Sequence, residues 1–333
     1  IDKKRISKKD PVYFIAEIGS NFDQDLNRAK ELIYLAKDAG ADAIKLQTYT
    51  ADTITINSDK PEFILKGGLW DGKKLYDLYE WAHTPWEWHQ SLFEYATELG
   101  VTIFSSPFDM TAVDLLEELG CPIYKIASFE AMDLPLIQRV AETGKPLIVS
   151  TGVINDTQIE EMIETVYKTN NENLTLLHCI SQYPTKTEDF NLNTIPNMKK
   201  RFGVKVGLSD HSMNNTAALI SIGFGVEVLE KHITLARVDG GPDAGFSLEP
   251  EEFKDFVQQS RAAFRALGKV DYSNTDSNNC HRSLYVVEKI KKGEVITNQK
   301  VKSIRPGLGL EPKYYDQVIG KVASRDLEFA TPL

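Results

Sequence analysis

The chain has 333 residues, of which 42% are hydrophobic, 26% charged and 10% aromatic. Those proportions suit a folded globular protein and exclude a disordered one. No run approaches the ~20 apolar residues of a membrane-spanning helix. The 38 basic and 48 acidic residues leave a net charge of −10. That excludes general affinity for nucleic acid, whose phosphates need a basic surface, but not a lysine-lined cleft for a small anion.

Cys121, Cys179 and Cys280 are scattered and odd in number, with neither metal spacing nor a disulfide framework. The expectation is a reducing, cytoplasmic setting. The opening IDKKRISKKDP has no apolar core and does not read as a signal peptide.

Eight short apolar runs follow in order. They are YFIAE (13–17), AIKLQT (43–48), VTIFSS (101–106), PIYKIAS (122–128), PLIVST (146–151), LTLLHC (174–179), VKVGLS (204–209) and VEVLEKH (226–232). They are nearly continuous in apolar residues, as parallel strands buried on both faces are. Amphipathic stretches separate them. Leu26, Leu32, Ile33 and Ala36 share one helical face before Gly40, and TPWEWHQSLFEYATELG predicts a helix capped by Thr84 with Pro85 just inside. MTAVDLLEELG, LPLIQRVAETG and DTQIEEMIETVYK continue the series. A doubly wound sheet would use the same alternation, but the count of eight predicts a (β/α)8 TIM barrel over 1–268.

The second loop, 49–84, is long and aromatic-rich, which predicts a packed functional loop. Residues 269–281 read as a linker, rich in Ser, Asn and Asp. Residues 282–333 predict a small β-rich module that needs a partner surface for stability.

Active sites of such barrels lie at the C-terminal strand ends. There the sequence places Glu17; Lys45 and Gln47; Ser105 and Ser106; Lys125, Ser128 and Glu130; Ser150 and Thr151; His178, Ser181 and Tyr183; Ser209, Asp210 and His211; and Glu230, Lys231 and His232. Charged groups at nearly every strand end are costly unless they pair or bind a ligand. A lone lysine is ordinarily a rim residue. Lys45 and Lys125 both lie inside apolar runs, and with several serines they offer what a phosphate or carboxylate needs. A lone histidine is ordinarily structural, as expected of His83, His89 and His281. His211 and His232 end adjacent strands, so a structural pair and a divalent-metal site both stand open. Asp243, in GGPDAGFSLEP, reads either as a turn cap or as a carboxylate beside that metal. Arg305, in IRPGLGLEP, reads as an exposed loop arginine.

Together these residues resemble a known family. FIAEIGSN, AGADAIKLQT, IFSSPFD, YKIASFE, PLIVSTG, LLHCISQYP, GLSDHS and LEKHITL match, in order, the barrel motifs of the sialic acid synthase (nonulosonic acid synthase) family. SLYVVEKIKKGEVIT and KSIRPGLGL resemble its C-terminal antifreeze-like (SAF) module. LQTYTADTIT, LWDGKKLYDLYEWAHTPWEWH and GGPDAGFSLEP are similar to its pseudaminic acid branch.

The resemblance implies condensation of phosphoenolpyruvate with 2,4-diacetamido-2,4,6-trideoxy-L-altrose. The N-acetylneuraminic and legionaminic branches are the alternatives. It implies a divalent metal on His211 and His232, usually manganese, with magnesium or cobalt as substitutes. It implies phosphoenolpyruvate contacts from Lys45, Lys125, Ser128, Ser150, Ser181 and Ser209. Glu17, Glu130 and Asp243 would be catalytic, while Gln47, Tyr183, Asp243 and Arg305 would meet the sugar. Arg305 would act in the partner subunit of a domain-swapped homodimer. Two departures stand out. The family often has Asn-His-x-Gly after its first strand, where this chain has Asn21, Phe22, Asp23 and Gln24, and some members carry Asn in place of Ser181. A Schiff-base aldolase using Lys45 or Lys125, and a non-catalytic sugar-binding protein, are the rival readings.

Overall fold

The computed structural model describes residues 12–273 and 279–333. The chain divides into two compact units, Ile1–Gly268 and Lys269–Leu333. Among the described residues, no helix is long and apolar enough to cross a membrane.

The first unit is a closed barrel of eight parallel strands in sequence order. They are β1 Tyr13–Glu17, β2 Ala43–Thr48, β3 Thr102–Pro107, β4 Tyr124–Ile126, β5 Leu147–Ser150, β6 Leu174–Cys179, β7 Lys205–Asp210 and β8 Val228–His232. The ring closes where β1 pairs with β8, Glu17 opposite His232. The barrel expectation therefore holds, and the apolar runs are buried strands. β4 is shorter than its run: it meets β3 only at Ser105↔Tyr124, and past Ile126 the chain turns into a 3-10 segment, Ser128–Glu130.

Helix starts follow local chemistry. Asp25, Asp109 and Asp133 cap Leu26–Asp38, Met110–Glu118 and Leu134–Ala141, each accepting from a first-turn N–H. Asn155 and Gln158 form a capping box on Asp156–Lys168. The Thr84 cap is a correction. Residues Trp86–Trp88 form a 3-10 turn, the helix begins at His89, and Thr84 Oγ1 is buried without a hydrogen-bond partner. His89 Nδ1 meets the Pro85 carbonyl at 3.2 Å, and Nε2 meets Thr48 Oγ1 at 2.8 Å. That buried, locally bonded ring is structural, as expected.

The long second loop packs as predicted. It holds the helices Ala51–Ile54 and Leu75–Ala82, and Tyr49 contacts the rings of Tyr79 and Phe108.

The second unit pairs β9 Ser283–Val286 antiparallel with β10 Val301–Ile304. It has a core of its own, formed by Leu284, Val286, Ile290, Ile296, Val301, Ala323 and Leu327.

Candidate active site

Strand parity sorts the polar strand ends. Lys231 ion-pairs with Asp210 at 2.7 Å and lies over the Phe256 ring, on the helix side of the wall. His178 Nε2 meets the Phe190 carbonyl at 2.6 Å and is likewise structural. The neighbouring positions 209, 230 and 232 take the opposite face, the barrel interior.

There Glu230 is the hub. Its Oε1 lies 2.9 Å from Lys45 Nζ and 4.0 Å from Lys125 Nζ, and it accepts from Ser209 Oγ at 2.9 Å. Lys45 also meets Glu17 Oε2 at 2.9 Å. Glu17 Oε1 accepts from the Gly19 N–H and from Gln47 Nε2. Lys125 donates to Ser150 Oγ at 2.6 Å and to the Ile126 carbonyl. Burial alone would push Glu230 up, but the charges of Lys125 and Lys45 and the Ser209 bond bring it down to about 2. Desolvation, with the charge of Lys125, outweighs Glu230 for Lys45 and lowers it to about 8. Two lysines, two carboxylates and the hydroxyls of Ser150 and Ser209 thus form one buried network.

Beside it lies a hydroxyl cradle. The Gly152 N–H donates to Ser128 Oγ at 3.1 Å. A Cβ at Gly152 would stand 2.5 Å from Ser181 Oγ and 3.0 Å from Ser128 Oγ, so only glycine leaves this opening between the two serines.

His211 and His232 converge, with ring centroids 5.4 Å apart. His211 Nδ1 is held by the Ile180 carbonyl at 3.1 Å and by Cys179 Sγ at 3.9 Å, which turns Nε2 away from both. His232 Nδ1 is buried without a hydrogen bond, 3.9 Å from Asp243 Oδ2. Burial, with the charges of His211 and Lys45, holds His232 well below its ordinary pKa, so it is neutral. Asp243 Oδ2 accepts from the N–H and Oγ of Ser20. Gly19 permits this approach. Its φ is +49°, and a Cβ would stand 2.3 Å from Asp243 Oδ2.

Among the described residues, no cluster of three or more His, Cys, Asp or Glu side chains is arranged to hold a metal. Two imidazoles, one oriented by a carbonyl and one with an unbonded buried nitrogen, fit a divalent ion that takes its other ligands from water or substrate.

Aromatic rings enclose the imidazoles. Tyr183 lies 4.6 Å from His211, Phe246 lies 4.8 Å from His232, and the two stand 4.9 Å from each other, centroid to centroid. Glu130 is half-buried at the rim. Its Oε2 is shielded and unbonded, and desolvation raises the carboxyl to about 7. Arg305 is exposed and follows β10 in the second unit.

Four contributors receive no role in the site from sequence. Glu230 reads there only as a strand-end residue, although its spacing of two from His232 puts both on one face. Cys179 ends β6 against His211, while Trp70 and Phe246 meet through folding of remote loops and left no local signal.

The first-strand departure has a structural consequence. Phe22 is buried against Trp88, with centroids 5.7 Å apart. Asp23 and Gln24 adopt left-handed backbone, φ 47° and 52°. Gln24 Nε2 donates to the carbonyls of Trp81 and His83, tying the first loop to the second.

A (β/α)8 barrel with a buried lysine–carboxylate network beside converging imidazoles defines a barrel enzyme for anionic substrates. Comparison with known proteins narrows the class. Residues 32–272 match the NeuB family and residues 281–333 match the SAF domain, so the chain belongs to the NeuB family. It is 43% identical over 328 residues to the pseudaminic acid synthase of Helicobacter pylori, covering 97% of this chain and 96% of that one. It is 45% identical over 326 residues to the pseudaminic acid synthase of Campylobacter jejuni serotype O:23/36, covering 97% and 95%. The structure matches the N-acetylneuraminic acid (sialic acid) synthetase of Leptospira borgpetersenii with a TM-score of 0.74 at 30% identity, covering 83% of this chain and 92% of that one.

Proposed function

We propose that the chain is a pseudaminic acid synthase. It joins phosphoenolpyruvate to 2,4-diacetamido-2,4,6-trideoxy-L-altrose, adds water and releases phosphate by C–O cleavage. The observation that carries this reading is the Lys45–Glu230–Lys125 network two residues along β8 from His232. Two lysines suited to an anion beside two imidazoles suited to a metal support this reading, and relatives of that name are 43–45% identical over nearly the whole chain.

Each part of the site has a role in this reading. Lys45 and Lys125 offset the charge of phosphoenolpyruvate, and Ser128, Ser150, Ser181 and Ser209 orient it through hydroxyls. His211 and His232 would hold the metal, taken as manganese, which would supply Lewis-acid polarisation of the sugar aldehyde when bound. C3 of phosphoenolpyruvate then bonds to the aldehyde carbon, and water adds at C2. Glu130, with a carboxyl near neutrality, exchanges a proton at this stage. Glu17 positions Lys45 and Gln47, while Asp243 and Tyr183 meet the sugar. Fixing the two reactants in one barrel mouth supplies much of the rate. Arg305 completes the site from the partner subunit of a homodimer, and the enzyme works in the cytoplasm. Both lysines already donate to carboxylates or hydroxyls, which disfavours a Schiff-base amine.

The test is phosphate release from phosphoenolpyruvate with manganese, with the trideoxy sugar and N-acetylmannosamine compared side by side. Release with the trideoxy sugar supports the reading. Release with N-acetylmannosamine alone keeps the chemistry and overturns the substrate. Borohydride trapping of a protein adduct would favour the aldolase instead.

A further inference from the structure

The loop after β2 forms a hairpin whose tip reaches loops far away in sequence. Ile64 and Lys74 pair antiparallel, and the Leu65 and Gly72 N–H groups donate to the carbonyls of Lys73 and Leu65. Leu69 and Trp70 sit at the tip. The Trp70 indole N–H donates to the Pro242 carbonyl at 2.9 Å. Its ring lies 5.6 Å from Tyr183 and 6.3 Å from Phe246. Leu69 rests against Gly245 of the same turn, its Cδ1 3.5 Å from where a Cβ would stand. Tyr183 and Phe246 in turn face His211 and His232. A continuous aromatic surface therefore runs from the hairpin tip to the imidazoles, built by the loops after β2, β6 and β8.

This half of the site differs chemically from the other. The lysine network and hydroxyl cradle are polar throughout. Along the aromatic surface the Tyr183 hydroxyl is the side-chain polar group that remains, since the Trp70 N–H is consumed by Pro242 and the Phe246 ring has none. A hydroxyl set against the Trp70 and Phe246 carbons would lose water without gaining a partner, whereas a methyl would gain by leaving water.

We propose that Trp70 is a specificity-determining residue: with Phe246 it forms the face that receives the deoxygenated carbon of an acylated amino-sugar and selects against a hydroxyl there. This inference rests on the trideoxy amino-sugar reading of the site. Apolar surfaces of this kind discriminate by about 10–200-fold for one added or missing group.

The experiment compares kcat/KM for the trideoxy diacetamido sugar and its 6-hydroxy counterpart at saturating phosphoenolpyruvate. It uses the full chain, Trp70→Ala and Trp70→Phe. The wild type is expected to favour the 6-deoxy sugar by about 10–100-fold. In Trp70→Ala that ratio collapses toward one, because KM for the 6-deoxy sugar rises about tenfold while KM for phosphoenolpyruvate stays put. Trp70→Phe retains most of the ratio and guards against an alanine variant that folds poorly. A residue that merely holds the loop would slow both sugars alike. An unmoved ratio in Trp70→Ala, with a wild type that uses the 6-deoxy sugar, overturns the role of Trp70 and leaves the functional reading intact. A wild type that turns over neither of these two sugars overturns the functional reading, and the assigned ligand of this surface falls with it.

Discussion

Lys45 Nζ and Glu230 Oε1 stand 2.9 Å apart across the barrel interior, on strands β2 and β8, which are separated by β1. Closure of the sheet makes this pair, since the two residues are far apart in sequence. Glu230 is also the counter-charge nearest Lys125. Removing its charge leaves two buried ammonium groups with Glu17 as their remaining carboxylate. Glu230→Gln is therefore expected to cost about 3–5 kcal/mol of stability, the range for breaking a buried pair. Urea denaturation measures it. Ser209→Ala, which deletes one hydroxyl bond to the same carboxylate, should cost only about 1 kcal/mol. Equal costs for the two variants would deny Glu230 its central place.

The imidazole pair makes a sharper prediction about the metal. His211→Ala and His232→Ala should each abolish manganese-dependent phosphate release. Each should also lose manganese binding by calorimetry while keeping the fold by circular dichroism. Turnover that persists after chelation would sink the assignment.

Glu130 ties the site to pH. Burial lifts its carboxyl from 4.5 to about 7. Between those values the folded protein keeps a proton that the unfolded chain has released. Its contribution to stability therefore falls as pH rises through that window and stays low above it. Glu130→Gln should leave stability unchanged near pH 4 and raise it by about 3 kcal/mol near pH 8. If Glu130 exchanges the proton, the limb of the rate profile near neutrality should vanish in the same variant. A limb that survives would assign that proton to another group.

The barrel was readable because its strands are short, apolar on both faces and punctuated by capped helices. The imidazoles and lysines were readable because strand ends face the mouth by rule. What stayed hidden depends on closure in three dimensions. Glu230 was seen as a strand-end residue, but its partners come from β2, β4 and β7. Trp70 and Phe246 meet only because a hairpin folds across to another loop. Thr84 carried the local pattern of a cap, yet the 3-10 turn Trp86–Trp88 intervenes and the helix begins only at His89.

Gln24 shows how a departure from a family pattern can acquire work of its own. At φ 52° it occupies backbone space that favours glycine. Its side chain compensates by donating to the carbonyls of Trp81 and His83 at 2.9 Å each. Those two carbonyls lie at the end of helix Leu75–Ala82, which follows the Trp70 hairpin. Gln24→Ala keeps the left-handed strain and loses both bonds. Gln24→Gly loses the bonds but relieves the strain, which is worth about 1 kcal/mol. The alanine variant should therefore be the less stable of the two. In both, amide exchange over residues 75–83 should quicken several-fold while the barrel strands stay protected. KM for the sugar should rise and KM for phosphoenolpyruvate hold steady, because the tie reaches the second loop and not the lysine network. Unchanged exchange over 75–83 in both variants would mean that Gln24 only fills its turn.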